Sequence, residues 1–295
     1  MHVWINGKLI QQDSANISIF DAGFQHGIGL FETMTARHGK VFRAHAHMNR
    51  LAESAKLLLL SDRLRIEPLV EAVNHVVQEN NMESARVRLT LTGGNLNQLQ
   101  NKGEKRIDPT IIVVAQPPTE YPQEFFDKGV TVMIADGREN PFDPMAGHKT
   151  LNYWQRIHAL QLATTKQASE ALWFSVSNHI SSGSVSNIFL VKDNELFTPI
   201  ARGEEVEGSI PSSTLPGITR SAIIEIAEQM EIKVNKKMLD INNLLSASEV
   251  FLTNSSWGVL PVVGMEREKI AGGEVGAISK QMRDALQELI EKETQ

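Results

Sequence analysis

The stretch Gly147-His-Lys-Thr-Leu-Asn-Tyr153 places a lysine beside a histidine, a side-chain amide and a phenol. Lys149 lies between a loop-like run, Arg138-Glu-Asn-Pro-Phe-Asp-Pro144, and an apolar helical pattern at Ile157, Leu160, Leu162 and Ala163. A lysine at such a junction is commonly a solvated cation. Here His148, Asn152 and Tyr153 supply hydrogen-bonding groups that a surface lysine does not need. A lysine held in a partly desolvated pocket loses its proton more readily and becomes a nucleophile towards carbonyls. Alone this is a weak signal, and other segments must support it.

Two segments and one arginine offer anion binding, and a third segment is rich in serine. Ser212-Ser-Thr-Leu-Pro-Gly-Ile-Thr-Arg220 puts small hydroxyls and a glycine just before an apolar helix. The free N–H groups and dipole of a helix start favour an anion such as phosphate, although an ordinary Ser/Thr cap is the simpler reading of this stretch by itself. In Phe251-Leu-Thr-Asn-Ser-Ser-Trp-Gly-Val-Leu-Pro-Val262 a buried strand runs into consecutive hydroxyl and amide side chains, which suit a phosphate or a carboxylate. Ile180-Ser-Ser-Gly-Ser-Val-Ser-Asn-Ile-Phe-Leu-Val191 packs serines and a glycine before an apolar strand, where a hydrogen-bonded turn is the plain alternative. Arg50 lies in a largely apolar helix, either extending its head to solvent or fixing a phosphate with its forked guanidinium.

The elements that must position these groups follow from pattern. Asn6-Gly7 between two apolar runs predicts a hairpin over Val3–Ile10. The run Ile17–Met34 contains Gly23, Gly27 and Gly29 and reads as a loop or as backbone that is closely approached. Apolar spacing predicts helices over His45–Leu60, Pro68–Val77, Gly217–Met230 and Gly276–Glu291. Strands are expected at Ala85–Thr92, Thr110–Ala115, Val130–Ala135, Ala171–Val176, Asn187–Lys192 and Glu249–Thr253, with a mobile loop over Gly93–Lys105. Clustered prolines in Gln116-Pro-Pro-Thr-Glu-Tyr-Pro122 mark a linker. The expected organisation is a small α+β domain at 1–116, a linker at 117–126 and a larger α/β domain at 127–295 carrying Lys149, with a crevice between the two as a usual place for a ligand.

Composition narrows the function classes. The 295 residues suit one or two packed units, and 41% hydrophobic with 22% charged residues is ordinary for a soluble globular protein. A formal charge of -6 argues against nucleic acid as the main ligand. There is no cysteine, which excludes disulfides, thiolate metal sites and a cysteine nucleophile and suits a reducing cytoplasm. No signal peptide or membrane span is expected: Leu57–Leu60, the most apolar run, is far short of the roughly 20 residues a bilayer needs.

Taken in order, the segments FDAGFQHGIGLFET, HMNRLAESA, HKTLNYW, SNIFLV, LPGITR and FLTNSSWGVLPV resemble one family. The chain is similar to the fold-type IV pyridoxal-phosphate enzymes, the class IV aminotransferase group. That group includes branched-chain and D-amino-acid aminotransferases, (R)-amine transaminases and aminodeoxychorismate lyase. The blocks run from about Ile5 to Val262. The resemblance implies two domains, a small α/β one and a larger mixed one with a barrel-like sheet, and a homodimer.

It also implies roles. Lys149 would form the Schiff base with the aldehyde of pyridoxal 5'-phosphate and shuttle the proton. Arg50 matches the arginine on the cofactor phosphate, Ile218 and Thr219 the helix-start contacts, and Ser255 a further phosphate contact. Tyr153 matches a residue near the phenolic oxygen. At Ser182-Gly183 the family usually has Glu-Gly, the glutamate bonding the pyridine nitrogen. A hydroxyl there can hydrogen-bond but supplies no negative charge to favour protonation, so a weaker electron sink is expected unless water or another acid compensates.

Substrate signals are fewer. D-amino-acid enzymes of the group carry a tyrosine where this chain has Phe31, and an Arg-x-His trap that Gly93–Lys105 lacks. Arg88, with Arg86 on the same strand face as a lesser candidate, is expected to bind a substrate carboxylate; an exposed edge arginine is the plain alternative. Backbone N–H groups of Ser255 and Ser256 would take the α-carboxylate, and Trp257 would line the pocket. The activity implied is exchange of an amino group between an amino acid, or an amine, and a 2-oxo acid. A β-elimination lyase of the aminodeoxychorismate type and a non-catalytic cofactor-binding protein are the alternatives.

Overall fold

A computed structural model describes residues 1–95 and 109–295. Much of the loop expected over Gly93–Lys105 therefore lies outside the described residues. Two compact units are present. One comprises Met1–Thr119, His148–Asn152 and Ile290–Gln295; the other comprises Glu120–Gly147 and Tyr153–Leu289.

The first unit is built on a six-stranded sheet of β1 (His2–Ile5), β2 (Lys8–Gln11), β3 (Gly29–Arg37), β4 (Lys40–Val41), β5 (Ser84–Thr92) and β6 (Ile111–Gln116), in the order β2-β1-β6-β5-β3-β4. Asn6 and Gly7 both take positive φ (47° and 87°), the backbone a two-residue hairpin turn requires. Strict alternation in β5 sends Ala85, Val87, Leu89 and Leu91 into the core and Arg86 and Arg88 to the other face. Helices α2 (Ala44–Leu57) and α3 (Ile66–Glu79) contribute Met48, Leu51, Val73 and Val76 to that same core. Pro68 is tolerated in the first turn of α3, where its missing N–H would have had no intrahelical acceptor.

The sequence hid three elements of this unit: the strand β3, whose start lies in the run read as loop or closely approached backbone, the two-residue β4, and a short helix. Ala22–His26, expected as loop, is a short helix α1, capped by Asp21 accepting from the Gly23 N–H (2.8 Å) and ended by Gly27 at φ 67°. Five residues are too few to show a helical period, so the caps specify it instead.

The second unit holds a nine-stranded sheet: β7 (Val130–Glu139), β8 (Glu170–Ser175), β9 (Ile180–Gly183), β10 (Asn187–Lys192), β11 (Glu195–Thr198), β12 (Val234–Lys236), β13 (Glu249–Asn254), β14 (Gly258–Met265) and β15 (Glu268–Lys269). The order is β12-β11-β10-β13-β14-β7-β8-β9, with β15 on β14. The sheet curls so that β9, at one end of this order, lies against β10. Its helices are α4 (Gln123–Asp127), α5 (Trp154–Thr165), α6 (Ile218–Gln229), α7 (Ile241–Leu245) and the part of α8 (Ala277–Thr294) up to Leu289.

Strand β7 pairs parallel with β8, and α5 provides the crossover between them. Leu172 and Phe174 enter the main core with Val132, Leu190 and Leu252, whereas Ala171 and Trp173 pack with Met133, Ala159 and Ala163. Both faces of β8 are thus covered, which is why its sequence reads as an unbroken apolar run.

Candidate active site

Lys149 reaches its position through backbone pairing. The Phe31 N–H donates to the Lys149 carbonyl (2.9 Å) and the Leu151 N–H to the Gly29 carbonyl (2.9 Å), so His148–Asn152 runs along β3 of the first unit. Gly29 is needed there: a Cβ would lie 2.3 Å from the Leu91 carbonyl oxygen and 2.7 Å from Leu151. The lysine Nζ sits 4.5 Å from the centroid of the Phe31 ring. Arg88 lies against the same ring, its Cζ 4.0 Å from the centroid, and its Nε donates to Thr90 (3.3 Å). Phe31, Arg88 and Lys149, singled out separately in the sequence, are brought together.

One stripe of α2 supports this group. His47, Arg50 and Ser54 fall three and seven residues apart, hence on one face. Arg50 donates to Glu32 through Nε (2.9 Å) and Nη2 (2.5 Å), and His47 Nδ1 lies 2.7 Å from the same carboxylate. Ser54 Oγ lies 2.9 Å from His148 Nδ1. Neither Glu32 nor His47 was anticipated. The signal was present, since Glu32 shares strand parity with Leu30, Met34 and Ala36 and so points a charge into an apolar face.

Burial alone would raise the Glu32 carboxyl, but the Arg50 charge and the His47 hydrogen bond outweigh it and hold it at about 2, down from 4.5. Burial pushes His47 down against the pull of Glu32. The ring is therefore neutral and carries its proton on Nδ1, facing the carboxylate. Because the folded Glu32 pKa lies below the unfolded one, its contribution to stability is complete above about pH 4.5 and is lost as pH falls towards about 2. Chemical denaturation across that window is expected to show wild type losing stability more steeply than Glu32→Gln; equal slopes would contradict the assignment.

In the second unit the Tyr153 hydroxyl donates to the Ser184 carbonyl (2.8 Å) and Ser182 is buried on β9. Beside Ser182 is a network the sequence did not reveal. Arg156 Nη1 donates to Ser182 Oγ (3.1 Å) and the Gly183 carbonyl (2.9 Å), and Nη2 to Glu139, which also accepts from the Ser181 hydroxyl. Buried Glu170 accepts from the Ala171 (2.9 Å), Ser184 (3.1 Å) and Val185 (3.1 Å) N–H groups, fixing the turn after β9. Burial keeps that carboxyl high despite these bonds.

Ile218 and Thr219 open α6 behind Gly217, where no side chain caps the helix. A Cβ on Gly217 would lie 1.9 Å from Asn187 Oδ1, while Asn187 Nδ2 holds the Leu215 carbonyl (2.9 Å). Thr253, directly opposite Asn187, has a buried hydroxyl without a hydrogen-bond partner among the described residues. An uncapped helix start beside an unpartnered hydroxyl suits a phosphate. Ser255, Ser256 and Trp257 form the turn from β13 to β14. The Ser256 N–H, expected on a substrate carboxylate, donates to Asn254 Oδ1 (2.8 Å), as does that of Trp257 (3.0 Å). Trp257 packs edge-on against Tyr121 at 5.6 Å.

Comparison with known proteins gives a consistent picture. The family model for amino-transferase class IV matches residues 29–265. The chain is 30% identical to a putative branched-chain-amino-acid aminotransferase of Methanocaldococcus jannaschii, over 98% of this chain and 96% of that one. It is 27% identical to a D-alanine aminotransferase of Staphylococcus epidermidis, over 98% of each. Among solved structures, the Escherichia coli branched-chain amino acid aminotransferase superposes with a TM-score of 0.89 at 28% identity, covering 100% of this chain and 96% of that one. The chain belongs to the class IV aminotransferases, fold-type IV enzymes that use pyridoxal phosphate to move an amino group between an amino acid and a 2-oxo acid.

Proposed function

We propose that this enzyme transfers the amino group of an amino acid with an aliphatic side chain to a 2-oxo acid. The observation that carries this reading is the Phe31 ring with Lys149 Nζ at 4.5 Å and Arg88 at 4.0 Å. It puts a nucleophilic amine, an apolar wall and a carboxylate-binding cation side by side. The branched-chain aminotransferases among the relatives support the aliphatic assignment.

The residues fit the cofactor on the uncapped α6 start and the unpartnered Thr253 hydroxyl opposite Asn187. Ile218, Thr219 and Ser255 would hold the phosphate, a role the family resemblance also gives Arg50. Tyr153 would lie near the phenolic oxygen and Ser182 at the pyridine nitrogen. When bound, pyridoxal phosphate supplies the aldehyde and the electron sink that labilise the substrate Cα–H bond. Lys149 would provide the amine that engages the aldehyde and would then carry the proton from the substrate Cα. Arg88 would orient the substrate by a carboxylate, and Trp257 would line the pocket.

We also place the enzyme in the cytoplasm as a homodimer. The absence of cysteine supports a reducing compartment. Exposed apolar residues Ile17, Ile19, Phe20 and Phe24, the last 75% exposed, support burial against a second copy.

A donor screen with both enantiomers of aliphatic, acidic and aromatic amino acids, with and without a 2-oxo acid, tests the function. Amino product from aliphatic donors only when an acceptor is present is expected. Pyruvate released from aminodeoxychorismate without acceptor would replace this reading with a lyase.

A further inference from the structure

We propose that Arg156, anchored by Glu139, makes Ser182 a hydrogen-bond donor towards the cofactor and so keeps the pyridine nitrogen unprotonated. The inference rests on the assignment of Ser182 to that nitrogen. Ser182 Oγ accepts from Arg156 Nη1 at 3.1 Å. A guanidinium has donors only, so the serine proton cannot be given back to it. The residue is 4% exposed, and no acceptor for its proton lies among the described residues. A buried hydroxyl proton without an acceptor is costly to leave unmade. The lone pair of a neutral pyridine nitrogen is the acceptor it lacks.

The charges point the same way. Arg156 pairs with Glu139, and that carboxylate is further held by the Ser181 hydroxyl. The side of this pair that touches Ser182 is the cation, not the carboxylate. Protonating the nitrogen would put a second positive charge behind the hydroxyl that already accepts from Arg156. A glutamate at position 182 would reverse both effects, since it accepts only and is negative. Arg156 also donates to the Gly183 carbonyl at 2.9 Å and the Ser184 carbonyl at 3.3 Å, so the cation is fixed rather than swinging. Arg156 is a positioning residue: it acts through Ser182.

The consequence is that the ring withdraws electrons less strongly than a pyridinium would.

The experiment loads the enzyme with pyridoxal phosphate labelled with nitrogen-15 in the ring and reads the nitrogen chemical shift at neutral pH. Free cofactor in acid and in alkali provides the two reference positions. Wild type is expected at the unprotonated position, and Ser182→Glu displaced to the protonated one. Arg156→Gln is expected to move the signal part of the way towards the protonated position. The paired variant Glu139→Gln/Arg156→Gln, which leaves no orphan charge if the single change unfolds the site, is expected to do the same. A wild-type signal at the protonated position overturns the inference, as does an unprotonated signal that neither Arg156 variant moves. Failure of the functional reading looks different: borohydride treatment and peptide mass analysis would find no cofactor on Lys149, and the inference would fall with it.

Discussion

Replacing Lys149 by alanine is expected to lower transamination by at least roughly 100-fold, the lower end of what a positioned proton carrier alone contributes. The loss is larger if nucleophilic engagement of the cofactor is also rate-determining. The variant should fold, because what holds the segment is backbone: the Lys149 carbonyl accepts from Phe31 and the Leu151 N–H donates to Gly29. Its side chain rests on the Phe31 ring and contributes no apolar volume to the core residues around Leu30 and Met34. Single-turnover kinetics with the cofactor supplied in excess would measure the effect. Small primary amines added to the medium should restore part of the rate, since they replace the missing base without replacing the anchor. Activity within a few-fold of wild type would remove Lys149 from the chemistry altogether.

How much of this was legible depended on length and on locality. Asn187–Lys192 was read at its observed bounds, and Gly217–Met230 brackets the observed Ile218–Gln229, because each carries a full apolar period and clear ends. The short α1, with five residues, and β4, with two, carry no period to read. At the site, Lys149 and Phe31 came from ordered blocks of sequence and Arg88 from its place on a strand, yet their meeting on one ring required the pairing of β3 with β5 and with the lysine segment. Glu32 could have been found as a charge at apolar parity on β3. Arg156 could not. Its meaning comes from Glu139, seventeen residues earlier at the end of β7, and Ser182, twenty-six residues later on β9, which only the curled sheet brings to it. The sequence did show that the family carboxylate was missing at Ser182. It did not show that a cation had been placed behind the hydroxyl.

Glu32→Ala is expected to destabilise the first unit strongly. It removes the carboxylate that pairs with Arg50 and accepts from His47, and it leaves a guanidinium in a side chain only 11% exposed. Breaking one partner out of a buried pair typically costs about 3–5 kcal/mol, because the remaining charge keeps its desolvation penalty and loses its compensation. Glu32→Gln retains the volume and one acceptor oxygen, so it should lose less. The double change Glu32→Gln/Arg50→Met removes the orphan charge and should recover part of the loss, which separates a charge effect from a cavity effect. Urea denaturation of the cofactor-free protein measures all three, since bound cofactor would mask differences by mass action. Cofactor affinity supplies the functional readout. If Glu32 aims the Arg50 fork at the phosphate, Glu32→Gln should weaken binding of pyridoxal phosphate while leaving that of phosphate-free pyridoxal nearly unchanged. Equal weakening of both ligands would mean that Glu32 supports the fold of α2 against β3 and has no part in directing Arg50.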